Sequence, residues 1–205
     1  MPHAIIEAIE RRTSVNHFDP GAPLADTQIE RLVELATRAP SAFNLQNWRF
    51  IAVRTDAAKE RLRALAWNQP KVGEAAVTFI VCGVLADHAT LAERLQPAVE
   101  AGFMPAQTVA AWEQGARGLY AGQPQAQRDE AFRSASLAAA TMMLAAEALG
   151  LGSGAMCGFD AAGVAREFAL APSEVPVLLL TVGRRAAGNW PQKPRRPLSQ
   201  VLEYA

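Results

Sequence analysis

Hydrophobic and polar positions alternate along the chain in patterns that predict a series of short elements. Residues 2 to 12 place Ile5, Ile6 and Ile9 on one face of a helix that ends near Arg11 and Arg12. A loop marked by Asp19-Pro20-Gly21 and Pro23 follows. Thr27 and Glu30 have the spacing of a capping box, after which Ile29, Leu32, Val33 and Ala36 recur at helical spacing until Pro40. Residues 48 to 54 are rich in aromatic and β-branched side chains and read as a strand. Asp56 then opens a helix carrying Leu62 and Leu65.

The segment from Ala76 to Cys82 has no polar alternation, as expected of a central strand covered on both faces. From Asp87 to about Gly118 the pattern is helical but broken by Pro97, Gly102 and Pro105, and a Gly122-Gln123-Pro124 loop follows. Residues 88–125 therefore form a candidate lid. Residues 128–149 make a long helical run dense in Ala, Leu and Met, ended by Gly150 where a left-handed cap is wanted. At 1.5 Å per residue it spans roughly 33 Å, enough to cross a domain. Asp160 can cap a short helix reaching Phe168, and Val175 to Val182 reads as another buried strand. Helices around three or four strands, with no linker or repeat, predict one α+β sandwich over residues 1–205.

Composition narrows the function classes. Half of the 205 residues are hydrophobic and a fifth are charged, which is a folding composition rather than a disordered one. Twenty Lys+Arg balance twenty Asp+Glu, so no global field gathers a nucleic-acid backbone. The first residues lack a cationic start followed by an apolar block, and the most apolar run, Ala75 to Ala86, falls short of the roughly 18 to 20 residues of a membrane helix. A cytoplasmic protein is expected, with no membrane partner. Cys82 and Cys157 form no Cys-x-x-Cys pair, and His3, His17 and His88 have no metal-ligand spacing, so no metal site is expected.

Three cation-bearing loops carry the candidate chemistry. Arg11-Arg12-Thr13-Ser14-Val15-Asn16 follows a helix and offers guanidinium and hydroxyl donors suited to phosphate oxygens. Lys193-Pro194-Arg195-Arg196 is held extended by its prolines. Asn68-Gln69-Pro70-Lys71 is a polar turn before the central strand, and Lys71 is one of only three lysines. Each alone also reads as a solvated surface. The amide-rich stretch from Ala39 to Trp48 could face a heteroaromatic edge or simply cap itself. Gly150 to Gly158 brings backbone close to something at little steric cost, yet it follows a helix and so is not a dinucleotide fingerprint. No histidine neighbours Cys157 in sequence, which argues against a thiol nucleophile. Met142, Met143 and Met156 read as packing residues.

Taken in order, these segments resemble the FMN-dependent nitroreductase family. The resemblance runs through residues 11–20, 39–50, 68–71, 150–152 leading to 158–160, and 193–198. It implies an intertwined homodimer with a mostly antiparallel central sheet flanked by helices, and FMN in a groove at the interface. The family's phosphate contacts fall on Arg12, Thr13, Ser14, Lys193 and Arg195. Pro40, Ser41, Ala42 and Asn44 would come from the other subunit, while Asn68 and Lys71 meet the pyrimidine edge. Met156, Cys157 and Gly158 would present a backbone N–H to the flavin N5.

Two positions depart from the family pattern. Asn16 stands where a second cation is common, which keeps hydrogen bonding near the cofactor but removes a charge and implies a weaker oxidant. Gln46-Asn47-Trp48 replaces Gln-Pro-Trp, adding a backbone N–H and implying a looser turn. The implied activity is an oxidoreductase exchanging hydride from NADH or NADPH for two-electron reduction of a nitroaromatic, quinone or similar acceptor. Phe103, Trp112 and Tyr120 in the lid are candidate acceptor contacts, or equally core. An enoate or azo reductase, a dehalogenase, a flavin-consuming enzyme, or a flavin store or sensor without turnover stand as alternatives.

Overall fold

The computed structural model describes residues 3–205. In chain order the elements are α1 (Ala4–Arg11), α2 (Asp26–Ala36), β1 (Trp48–Val53), α3 (Asp56–Leu65), α4 (Pro70–Glu74), β2 (Val77–Val84), α5 (Leu91–Glu100), α6 (Ala106–Tyr120), α7 (Pro124–Ala148), β3 (Gly152–Met156), α8 (Ala161–Glu167) and β4 (Glu174–Gly183). The four strands form one sheet in the order β1-β2-β4-β3, antiparallel at every pairing. β2 lies inside it, and both of its faces are covered, which is why its sequence shows no alternation. Phe79 and Val81 pack with Leu32, Met142 and Leu180 on the α2–α7 side, while Ile80 and Cys82 pack with Leu62, Val72 and Leu179 on the α3–α8 side.

Helix α7 lies close on the first of these faces. Its buried stripe is Ala131, Ala135, Ala138, Ala139, Met142 and Ala146, mostly methyl groups that let helix and sheet backbones approach. At Gly83 of β2 the approach is so tight that a Cβ would lie 2.3 Å from the Ala131 carbonyl oxygen. The helix begins at Pro124, four residues before its expected start. Proline costs nothing at a first helical position, because the N–H it lacks would have no partner there. Gly150 (φ +75°) follows its end in the expected left-handed conformation.

Several local expectations change in the folded chain. Helix α2 starts after Ala25, whose N–H donates to the Gln28 side-chain oxygen at 3.0 Å, so Gln28 performs the back-bond assigned to Glu30. Pro97 sits inside α5; the real interruptions are Gly102 (φ +73°) and Pro105. Ile5, Ile6 and Ile9 do not enter the core: each is about half exposed, and Ala8 alone of α1 is buried. Asn47 is tied to the end of β2. It is buried, its carbonyl accepts the Val84 N–H at 2.8 Å and its side-chain amide donates to the Val84 carbonyl at 2.9 Å, which closes the end of β2.

No helix of the described residues is long and apolar enough to cross a membrane. The tight seat of α7 gives a direct test. Gly83→Ala is expected to destabilise the fold by about 2–3 kcal/mol, because the obstacle is backbone and cannot swing away. Gly118→Ala, in α6 with nothing within 4 Å, is expected to stabilise by about 0.5–1 kcal/mol. Chemical denaturation of the two variants beside the parent measures both.

Candidate functional site

The loop after α1 is held by its own backbone against the sheet edge. The Val15 N–H donates to the Ser153 carbonyl at 2.9 Å, and Ser14 bridges Ser153 in parallel register. A Cβ at Gly154 would lie 2.4 Å from the Val15 carbonyl oxygen, so the glycine-rich strand admits this loop rather than a ligand. A tail residue completes the grip. Asn189 accepts the Asn16 and His17 N–H groups at 2.8 and 3.1 Å and donates to the His17 and Ala186 carbonyls.

These ties bring the two basic loops together. Ser14, Trp190, Pro191, Gln192, Lys193 and Arg195 line a pocket of ≈ 50 Å³. Gln192 donates to the Arg12 carbonyl at 3.1 Å and accepts from the Arg195 guanidinium at 3.0 Å, linking the rims. Lys193 lies over the Trp190 ring, 5.0 Å from its centre. The hydroxyl of Thr13 turns elsewhere, accepting from Arg185 at 2.8 Å.

Lys71 in the short helix α4 extends the same positive surface. It is half-buried, and its ammonium contacts the Asn16 side-chain oxygen at a long 3.5 Å. Burial lowers its pKa from the ordinary lysine value, and the like charge of Lys193 lowers it further. Among the described residues, none of the ion pairs involves Arg12, Lys71, Lys193 or Arg195. Arg12, Lys71, Lys193 and Arg195 thus form no salt bridge with a carboxylate.

Next to Lys71, Trp67 and Asn68 both adopt left-handed backbone (φ +53° and +55°). This turn lays the Trp67 ring against Gly158, where a Cβ would lie 2.7 Å from Cζ3. The Gln69 side chain donates to the Gly158 carbonyl at 3.0 Å. Met156 points into the core with Leu179, so only its backbone is open to a ligand, whereas Cys157 is exposed. Cys82 is buried, and desolvation pushes its thiol up to about 12.

The Pro40–Asn47 stretch stands apart from these loops. Phe43, Asn44 and Gln46 have φ of +52°, +55° and +47°, an unusual density of strained residues. Ser41 accepts the Gln46 N–H at 2.9 Å, and Arg94 donates to the Leu45 carbonyl. The Phe43 ring meets Trp112 and Tyr120 edge to face, at 6.1 and 6.4 Å. Of the three lid aromatics, Phe103 is 85% exposed and Trp112 partly so. Tyr120 is instead buried, with its hydroxyl on Glu130 at 3.3 Å, and packs the small core beneath α5 and α6.

Comparison with known proteins identifies the family and the fold. The nitroreductase family model matches residues 9–184. YodC of Bacillus subtilis (strain 168), provisionally named an NAD(P)H nitroreductase, is 32% identical over 199 residues, covering 97% of this chain and 98% of its own. The crystal structure of ydfN from Bacillus subtilis, provisionally a nitroreductase, superposes with a TM-score of 0.91 at 30% identity over 98% of both chains. A provisionally named nitroreductase from Exiguobacterium sibiricum 255-15, solved in complex with FMN, has a TM-score of 0.90 at 26% identity over 100% of this chain and 99% of that one. The chain belongs to the nitroreductase family.

Sequence reasoning missed Asn189, Gln192, Arg185 and Trp67. Asn189 and Gln192 were marked only by their place beside the basic tail, which does not say what they bind. Trp67 had only its place before the polar turn, and nothing in the sequence pairs Arg185 with Thr13. The influence of Lys193 on Lys71 can be checked, because three lysines give a simple spectrum. In flavin-free protein, Lys71 is expected to titrate below the ordinary lysine range, and Lys193→Gln is expected to raise its pKa. NMR of labelled lysine side chains against pH reads both.

Proposed function

We propose that this chain is an FMN-dependent oxidoreductase that uses NADH or NADPH to reduce an electron-poor acceptor, such as a nitroaromatic or a quinone, and works as a homodimer. The observation that carries the reading is the convergence of Ser14, Lys193 and Arg195 on one small pocket, with Arg12 and Lys71 nearby and no carboxylate on any of the four cations. Such a set is poised for a dianionic phosphate, which is matched by two or three cations in a partly enclosed site. The donor set fits the cofactor seen in the Exiguobacterium relative.

When bound, FMN supplies hydride and two-electron chemistry that protein side chains lack. The residues supply binding and electrostatics. Arg12, Ser14, Lys193 and Arg195 hold the phosphate, with Thr13 part of the same loop. Asn16, Asn68 and Lys71 address the polar edge of the ring. An ammonium at Lys71 stabilises negative charge developing there on reduction, an effect strengthened by its half-buried position. The backbone at Met156, Cys157 and Gly158 offers the N–H donor, and the exposed Cys157 thiol is not required. Protons can come from water, so no acid–base pair is needed.

The dimer explains what one chain leaves open. Ile5, Ile6, Ile9, Leu137, Leu149 and the tail residues Val201 and Leu202 are exposed, and this is apolar surface that a second copy of the chain would cover. Pro40, Ser41, Ala42 and Asn44, remote from the cation pocket of their own chain, serve the flavin of the other. The excursion at 88–125 acts as the lid over that site, with Phe103 and Trp112 shaping the acceptor space and Tyr120 anchoring α6.

The test is spectroscopic. Protein loaded with FMN is expected to absorb near 450 nm and to bleach under NADH or NADPH without oxygen, with colour restored by a quinone or nitroaromatic. A colour that persists with both donors overturns turnover and leaves a binding protein. Arg195→Ala or Arg12→Ala is expected to weaken FMN binding by about tenfold to a hundredfold, the worth of one charge-assisted bond, as read by equilibrium titration. Sedimentation is expected to give twice the chain mass.

A further inference from the structure

One charged chain of contacts lies behind the phosphate pocket and has no part in the reading above. Glu147, near the end of α7, is largely buried and binds two arginines: Arg185, just past β4, and Arg11 of α1, at 3.7 Å. Arg185 spends its other guanidinium arm on the Thr13 hydroxyl at 2.8 Å. β3 makes room for this side chain, because a Cβ at Gly152 would lie 2.7 Å from Arg185 Cγ and 2.8 Å from Val15 Cγ2. The backbone on either side is paired as well: Asp19 N–H donates to the Arg184 carbonyl and Ala186 N–H to the His17 carbonyl, both at 3.0 Å.

We infer that Arg185, aimed by Glu147, is a positioning residue that sets the phosphate-binding loop through the Thr13 hydroxyl. The inference rests on the FMN reading and deepens it. A guanidinium is planar, so a carboxylate on one arm orients the other arm. Its N–H occupies a lone pair of Thr13, which anchors the loop from behind and leaves Ser14 facing the pocket. Glu147 is shared between Arg11 and Arg185, so this cluster keeps one positive charge, but both arms of the Arg185 guanidinium are taken up by Glu147 and Thr13 and neither reaches the pocket. Arg185 therefore acts by geometry, through Thr13. The ligand class it serves is the phosphomonoester end of the flavin, not its ring.

That distinction supplies a readout which a general stabilising role would not move. FMN and riboflavin share the ring and ribityl chain and differ only in the phosphate. Arg185→Met is expected to raise the FMN dissociation constant about tenfold or more, and to leave that of riboflavin within about twofold, in fluorescence titrations of the full chain. Thr13→Val, which keeps the side-chain shape, is expected to reproduce the effect. The double variant is expected to be no weaker than either single one, since both remove the same contact. Unchanged FMN binding in Arg185→Met, equal loss of both flavins, or additive losses in the double variant would overturn the inference. Parent protein that binds neither flavin overturns the FMN reading and this one with it, whereas parent that binds FMN with an insensitive Arg185 overturns this one alone.

Discussion

The seat of α7 on the sheet is the contact on which the other parts depend. Where Gly83 meets the Ala131 carbonyl there is no room for a methyl group, so the helix axis has one height above β2. From that seat, one end of α7 delivers Glu130 to Tyr120, and the other delivers Glu147 to Arg11 and Arg185. The first end anchors α6 and, through the Phe43 ring, the strained loop after α2. The second end supports the loop after α1. A helix placed by alanine methyls thereby sets the positions of two polar sites about 25 Å apart, measured as the rise of the residues between them.

A burial argument also explains the charges around the site. Glu130 is almost fully enclosed, yet it has Tyr120, Ser134 and Arg133 as partners. Lys59 is likewise buried and reaches the Gly73 carbonyl. Each of these buried charges thus has polar partners within the chain, as its desolvation requires. Lys193 and Arg195 stay exposed to solvent and need no such partner, whereas Lys71 is half-buried without a carboxylate, and desolvation together with the charge of Lys193 lowers its pKa.

The fold was legible where periodicity and burial coincide. β2 and β4 could be read because strands covered on both faces have apolar runs, α8 because Asp160 caps it, and α3 because Asp56 opens it, although the capping side chain is that of Thr55 one residue earlier. The face of Ile5, Ile6 and Ile9 was legible as apolar but not as to what it meets, since pattern alone does not separate a core from a subunit contact. β3 was hidden by its glycines, which serve the close approach of Val15 rather than strand propensity. The cation loops were visible in sequence, and the family resemblance joined them. The ties made by Asn189, Gln192 and Arg185 were not visible, because each spans more than 170 positions or depends on a side chain with no distinctive spacing.

Those long spans have a kinetic side. The segment at 189–195 has no regular secondary structure and is fastened to the 12–17 loop by side-chain bonds closing loops of 172 and 173 positions. Contacts of that separation form late, after the sheet that brings their partners near. They can also be released first, since undoing them breaks no strand pairing. The tail is in effect a clasp on the loop: its side-chain bonds stand outside the four-stranded sheet, whose own pairing does not depend on them.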